Sequence, residues 1–451
     1  MKSIAERSRF WRNYRAEWGE LLKLGFPVLL TQLGVIVVSF ADTMMVGAYG
    51  VNELAASAFV NSVFLIPLVM LSGLANGITP MVGALFTKGD HHRIGRIFRA
   101  GMQINAIVSV VFMAVMGVLY FFLDRFGQPE ELLPVIRPYY LTLLFTLLPM
   151  ALFNAASQTC NGVTDTRSPM WFILIAITVN IIGNWLLIFG HCGLPEMGLT
   201  GAGIATVIAR VVGLVGILWM IRRNKRYAAS RKGMADRAPL GALRRQVWRT
   251  SFPVMIQTGI ECSLWSVGAV VCGWFGKIQL AAFQVVNTVG QLGFMTYISF
   301  GVAVSIRVAN FCGLKDDKGA GMAARAGVHL NMVLATLASV AIFLFARQLM
   351  HMFTPSEDVI AAAMLLVFPL VLYQYLDALQ ITFMNAIRGT SQVNWLLWIA
   401  LISYVVVGIP CLLGFAEIFT VGSIGVYYSF NVALLVASIL SGIIFKRIKI
   451  Q

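Results

Sequence analysis

Twelve apolar runs of about twenty or more residues recur along this 451-residue chain, separated by short polar or Gly- and Pro-bearing segments. At 1.5 Å of rise per residue, each run is long enough as a helix to cross the hydrocarbon of a bilayer. Hydrocarbon offers no partner for a free N–H or C=O, so a spanning segment of this kind must pair its backbone internally, as a helix does. The runs cover approximately 22 to 47, 54 to 85, 97 to 123, 133 to 158, 168 to 189 and 199 to 222 in the first half. In the second half they cover 250 to 274, 281 to 312, 324 to 346, 360 to 387, 394 to 415 and 422 to 446. With 59% hydrophobic and 12% charged residues the chain is too apolar for a soluble fold. The expected class is an all-α polytopic membrane protein.

The net charge of +15 would suit a nucleic-acid partner, but its distribution argues for topology instead. With the N-terminus in the cytoplasm, 28 of the 34 basic residues fall on the cytoplasmic side. Ten of them lie in the stretch from Arg222 to Arg249, and Arg388 is counted with the inside set. Only Arg125, Arg137, Lys277 and Arg347 fall outside. Twelve spans with both termini cytoplasmic satisfy this bias, and an odd number would not. The first twenty residues lack a short apolar core with a small-residue cleavage site, so they read as a basic, amphipathic lead-in rather than a signal peptide.

A shift of 226 residues superposes the second half on the first without a gap for some eighty positions. Phe26-Pro27-Val28 falls on Phe252-Pro253-Val254, Leu54-Ala55-Ala56 on Leu280-Ala281-Ala282, Asp90 on Asp316, and Arg99-Ala100-Gly101 on Arg325-Ala326-Gly327. A repeat of six spans returns the chain to its starting side. The expected architecture is therefore two six-helix lobes related by pseudo-two-fold symmetry along the membrane normal, a frame suited to alternating access. The expected divisions are an N-lobe at 1 to 222, a cytoplasmic linker at 223 to 249 and a C-lobe at 250 to 451.

Three of the nineteen acidic residues fall inside spans: Asp42 in the first, Glu261 in the seventh and Asp377 in the tenth. A carboxylate at mid-membrane costs roughly 3 kcal/mol, so each is a candidate for function. Under the repeat Asp42 falls on Gly268, Glu261 on Val35 and Asp377 on Met150, so the charges do not share the symmetry of the spans. Asn180 and Asn184 in the fifth span, Ala202 and Thr206 in the sixth, and Tyr373 and Asp377 in the tenth are each four apart, on one helix face. Taken alone, the two asparagines read as polar glue between helices, and Tyr373 as an interfacial or packing aromatic. Set beside carboxylates, these oxygens suit a small hard cation, with Na+ and a proton equally served.

Pro27 and Pro253 occupy equivalent positions and read either as hinges, through a missing backbone hydrogen bond, or as first-turn caps. Arg307 lies near a span end and can snorkel; Arg210 lies deeper, where a carboxylate would be its partner. The 21 Met and 30 Phe residues suit an adaptable greasy cavity as well as ordinary lipid-facing surface. The six cysteines form no CxxC pair and the five histidines stand chiefly in or near loops, so neither a disulfide framework nor a metal centre is expected. No Walker-type motif is present, which argues against ATP-driven transport.

At FADTMMVG around Asp42, GIEC around Glu261, NIIGNW around Asn180 and Asn184, GAGIAT around Ala202 and Thr206, and YQYLDALQ around Tyr373 and Asp377, the chain resembles the multidrug and toxic compound extrusion (MATE) family. Glu261 points to its NorM-type branch, and the match covers essentially all twelve spans. The resemblance implies a transporter, not an enzyme: a multidrug efflux antiporter of a bacterial inner membrane, with Na+ or H+ as coupling ion and no cofactor. Its implied partners are small organic, often cationic, substrates and the lipid bilayer, with no nucleic acid, and the chain is expected to act as a monomer. Asp42, Asn180, Asn184 and Thr206, with Ala202 beside them, would form an N-lobe cation site; Glu261, Tyr373 and Asp377 would form a C-lobe cation or substrate site. A lipid-linked oligosaccharide flippase of the same superfamily is the alternative, but it calls for more basic residues in the central spans.

Overall fold

The computed structural model describes residues 4–418 and 422–448, and among these the chain is helical with no strand. The first half contains α1 (Ile4–Tyr49), α2 (Val51–Asn76), α3 (Ile78–Thr87), α4 (His91–Tyr120), α5 (Leu133–Gly162), α6 (Arg167–Ile188) and α7 (Gly198–Arg223). A short α8 (Ala228–Ala235) precedes α9 (Gly241–Trp274), α10 (Lys277–Gly313), α11 (Asp317–His351), α12 (Glu357–Met364) and α13 (Val367–Gly389). Then come α14 (Asn394–Ala400), a π-helical segment at Leu401–Gly408, α15 (Ile409–Ile418) and α16 (Gly422–Arg447). Twelve of these helical stretches are long and apolar enough to cross a membrane.

The helices outrun the apolar runs that specify them. The first candidate span covers Tyr14–Tyr49, because the amphipathic lead-in continues the same helix. The tenth run is broken, with α12 ending at Met364 before the span at Val367–Gly389 begins.

The sequence repeat recurs as local geometry. Asp90 caps α4 by accepting from the Arg93 N–H at 3.0 Å, and its counterpart Asp316 caps α11 by accepting from the Gly319 N–H at 2.9 Å. Each cap follows a left-handed residue, Gly89 at φ 74° and Lys315 at φ 57°. A side-chain cap of this type stabilises a helix start by about 1 kcal/mol, which is reason enough for both halves to keep an Asp there.

Two compact units are present. One comprises Leu30–Met255; the other joins Met1–Leu29 to Ile256–Gln451. The boundaries thus fall inside α1 and α9, not at the ends of the basic linker.

In the first of these units the linker is folded. Gly233 of α8 and Gly95 of α4 bring the two backbones into contact, since a Cβ on Gly233 would meet the His92 carbonyl and one on Gly95 the Ser230 carbonyl. Arg226 donates to the Val163 carbonyl at 2.6 Å, and the buried Tyr227 donates to Asp165 at 2.8 Å. Burial, with Cys160 and the Asp165 carboxylate nearby, pushes the Tyr227 phenol's pKa up, so it stays protonated as a donor.

In the other unit, Tyr14, Leu21 and Leu24 of α1 pack into one core with Phe300 and Val304 of α10 and Ala323 and Leu330 of α11. The same stretch carries the unit's closest ion pair. Arg307 does not snorkel: its Nε and Nη2 donate to the two oxygens of Glu17 at 2.9 and 2.5 Å. The Glu17 side chain is only 8% exposed and that of Arg307 20%. Removing one partner of so shielded a pair strands the other. Arg307→Met is therefore expected to destabilise this unit by about 2–4 kcal/mol, read as a lower unfolding temperature in detergent. Much of the loss should return in the Glu17→Gln/Arg307→Met double variant, and an unaltered single variant would contradict this account.

Candidate functional site

In the Leu30–Met255 unit, the residues singled out on three spans meet in one hydrogen-bonded chain. Asn184 of α6 donates from Nδ2 to Asp42 Oδ1 of α1 at 2.5 Å, and also points to Asn180 Oδ1 at 3.5 Å. Asn180 Nδ2 donates to Thr206 Oγ1 of α7 at 3.2 Å, and the Thr206 hydroxyl donates to the Ala202 carbonyl at 2.9 Å. The i,i+4 spacing puts each pair on one face, and the small residues of α7 permit the approach: a Cβ on Gly183 of α6 would sit 2.9 Å from that of Ala205. Asn184 Oδ1 is buried with no partner, an acceptor left open beside the carboxylate.

Arg210 stands one turn beyond Thr206 on α7 and acts electrostatically on both Asp42 and the Tyr139 phenol. The deep arginine thus has a carboxylate in its own unit. A Coulombic partner lowers the cost of holding either charge in an apolar surrounding.

The second unit gathers Glu261, Tyr373 and Asp377, but not as a single hydrogen-bonded chain. Tyr373 and Asp377 stand one turn apart on α13, and Asp377 and Glu261 interact through charge. Asp377 is 1% exposed and its Oδ2 has no partner. Trp265 meets the Tyr373 ring edge-on at 5.3 Å and Phe430 at 4.0 Å, walling one side with aromatic surface. A cation held by two such carboxylates would offset the charge of both.

Three residues that the sequence reading left unassigned hold Glu261, and Arg388 backs one of them. Gln257 donates to its Oε2 at 2.7 Å; Gln380 and the Tyr404 hydroxyl donate to its Oε1 at 3.4 and 3.3 Å. Arg388, counted above as a cytoplasmic charge, is 7% exposed at the end of α13. It donates to Gln257 Oε1 at 3.4 Å and to Asn385 Oδ1 at 3.0 Å. Gln257 could have been found, since it stands four residues before Glu261 on α9. Tyr404 could not, because it lies in the π-helical segment, where the extra residue per turn shifts the register that periodicity assumes.

Pro27 and Pro253 are buried in the interiors of α1 and α9, well beyond their first turns. Each stands two residues before its helix passes from one compact unit to the other, at Leu29 to Leu30 and Met255 to Ile256. Among the described residues no cluster of three or more His, Cys, Asp or Glu could hold a metal ion.

The MatE family pattern matches the chain twice, over residues 27–186 and 253–413, each match opening at one of these prolines. The chain is 30% identical to the multidrug resistance protein NorM of Vibrio cholerae over 436 residues, 95% of each chain. It is 28% identical over 402 residues to the multidrug resistance protein NorM of Photobacterium profundum, covering 88% of this chain and 87% of that one. In fold it is similar to the eukaryotic MATE transporter AtDTX14, with a TM-score of 0.87, 18% identity and 96% of both chains covered. It is also similar to an outward-facing multidrug resistance MATE family transporter, with a TM-score of 0.86, 17% identity, and 96% of this chain and 95% of that one covered.

The Glu261 cage generates its own check. Gln257→Leu removes a donor from Glu261 and an acceptor from Arg388 while keeping the volume. It should cost about 1–3 kcal/mol of stability, seen as a lower unfolding temperature in detergent. An unchanged temperature would mean that the amide does not hold the carboxylate.

Proposed function

The chain belongs to the MatE family, and on that ground we propose that it exports small organic compounds, many of them cationic, across a bacterial inner membrane in exchange for Na+ or H+. It is a transporter, not an enzyme. The observation that carries the exchange reading is the hydrogen-bonded chain from Asp42 through Asn184 and Asn180 to Thr206. It sets a carboxylate among amide and hydroxyl oxygens, a hard donor set suited to a small cation, while the carboxylate alone serves a proton. The Glu261 and Asp377 pair is the second cation or substrate site, with the Trp265 and Tyr373 rings offering a face to an organic cation.

A site that takes either the coupling ion or a cationic compound exchanges them by competition, provided it opens to each side in turn. Pro27 and Pro253 are the proposed hinges of that opening. A proline deprives the helix of one i to i−4 bond, and each stands where its helix leaves one unit for the other. The two six-span lobes, the both-termini-inside topology and the monomeric state belong to the same reading. A lipid-linked oligosaccharide flippase would need free basic groups for a pyrophosphate. Here Arg210, Arg307 and Arg388 are each engaged by a carboxylate of their own unit.

Efflux of ethidium from energised cells tests the carboxylates. Asp42→Asn should bring gradient-driven efflux down to background with the protein still inserted, and Glu261→Gln or Asp377→Asn should weaken it. Undiminished efflux from the Asp42 variant, or from wild type after both sodium and proton gradients are collapsed, would sink the exchange reading. In the same assay Pro27→Ala or Pro253→Ala should slow export severalfold while a fluorescent cation still binds; wild-type export from both would remove the hinges. For topology, the exposed Cys192 should react with a membrane-impermeant maleimide added outside intact cells, and labelling only after lysis would reverse the orientation.

A further inference from the structure

A cavity of about 300 Å³ opens between α4 and the start of α9, outside both carboxylate sites and within the Leu30–Met255 unit. It is lined by Ile104, Ile107 and Val108 of α4 and by Arg244, Arg245 and Trp248 of α9. Ile104 and Val108 are buried and form its floor; Ile107 and Trp248 are exposed at its edge. The lining is apolar almost throughout, so the exposed Arg244 and Arg245 contribute their aliphatic stems to it and carry their guanidinium groups outside.

Those two guanidiniums differ from their basic neighbours. Arg226 is spent on the Val163 carbonyl, Arg231 on the Arg222 carbonyl, Arg96 on the Pro239 carbonyl, and Arg93 reaches Gln246. Neither Arg244 nor Arg245 has a hydrogen-bonded or ion-paired side-chain partner among the described residues. The stretch from 224 to 249 holds a single acidic residue, Asp236, and it is already engaged by Arg96 and His92. This stretch thus supplies no further anion to pair with them.

The apolar lining continues onto an exposed apolar face of α4. From Ile107 the exposed residues Val111, Val115 and Val118 follow at helical spacing up one face of α4. Eleven residues of helix rise roughly 16 Å, close to the length of an acyl chain. Trp248 stands with Arg244 and Arg245 at the exposed edge of that lining, where an indole favours the membrane–water interface.

We propose that this cavity seats one phospholipid with a net anionic headgroup, its phosphate outside the apolar lining beside the exposed guanidiniums of Arg244 and Arg245 and an acyl chain along Ile104, Ile107 and the α4 stripe. Basic pockets between membrane helices recognise such headgroups by charge, while the apolar floor requires the chain that follows. The assignment needs only that the spans lie in a bilayer; it stands apart from the transport reading and from both carboxylate sites.

Native mass spectrometry of the full-length protein in detergent, titrated with phosphatidylglycerol or phosphatidylcholine, tests it. The wild type should retain one phosphatidylglycerol in preference to phosphatidylcholine. Arg244→Gln/Arg245→Gln should weaken that retention about tenfold or more, from the usual contribution of each basic residue near an anionic headgroup. Arg222→Gln/Arg223→Gln, which removes the same charge outside the cavity, should leave it unchanged. Equal loss in both double variants would reduce the effect to bulk charge and overturn the site. Retention unaltered in the Arg244 and Arg245 variant would do the same. Displacement of the lipid by soluble glycerol phosphate at matching concentration would replace it with a free-phosphate site. Circular dichroism and elution volume of the variants distinguish loss of the site from loss of the fold.

Discussion

A charge surrounded by hydrocarbon must be held by something, and that requirement organises this protein. Two of the intramembrane carboxylates have hydrogen-bond donors on neighbouring helices: Asn184 for Asp42, and Gln380 and Tyr404 for Glu261, which Gln257 of its own helix also holds. Each deep arginine has a carboxylate within reach. Both kinds of pairing constrain which helices stand side by side. Asp42 obliges α1 to meet α6, and through Asn180 and Thr206 it obliges α6 to meet α7. The sites are thus part of what fixes the helix order inside each unit.

The pairing is incomplete where chemistry is expected. Asn184 Oδ1, Asp377 Oδ2 and Gln380 Oε1 are buried acceptors with no partner. An open acceptor in an apolar surrounding is costly unless a cation or proton visits it. All three belong to the two carboxylate clusters, although buried acceptors such as Asn105 Oδ1 and Asn331 Oδ1 stand open elsewhere. The repeat supplies the same helical frame twice, while the substitutions of Gly268 for Asp42 and Val35 for Glu261 make the two clusters different instruments.

Much of this could be read from the chain because the bilayer imposes a length and the helix a period. Runs of about twenty apolar residues can close their backbone bonds only as helices, and the pairs Asn180 with Asn184 and Ala202 with Thr206 could be placed on one face by spacing alone. The lead-in from Tyr14 was legible as amphipathic but not as a partner of Arg307, since its charge complement lies 290 residues away. Arg388 was assigned to the aqueous edge because it stands at a span end; its burial depends on Gln257 and Asn385, which no local rule foretells. Tyr404 escaped for a different reason: a π-helical turn breaks the periodicity on which any facial assignment rests.

The division of α1 has a further consequence, in time rather than space. Tyr14, Glu17, Leu21 and Leu24 belong to the unit that the last two hundred or so residues complete. As the chain emerges, the Leu30–Met255 unit can gather its own helices, yet the segment from Tyr14 to Leu24 has no core to enter until α10 and α11 exist. It must wait at the membrane surface, basic and amphipathic, through the synthesis of some nine spans. Tyr14 to Leu24 therefore settle later than the helices that directly follow them, and their docking marks that α10 and α11 have been made.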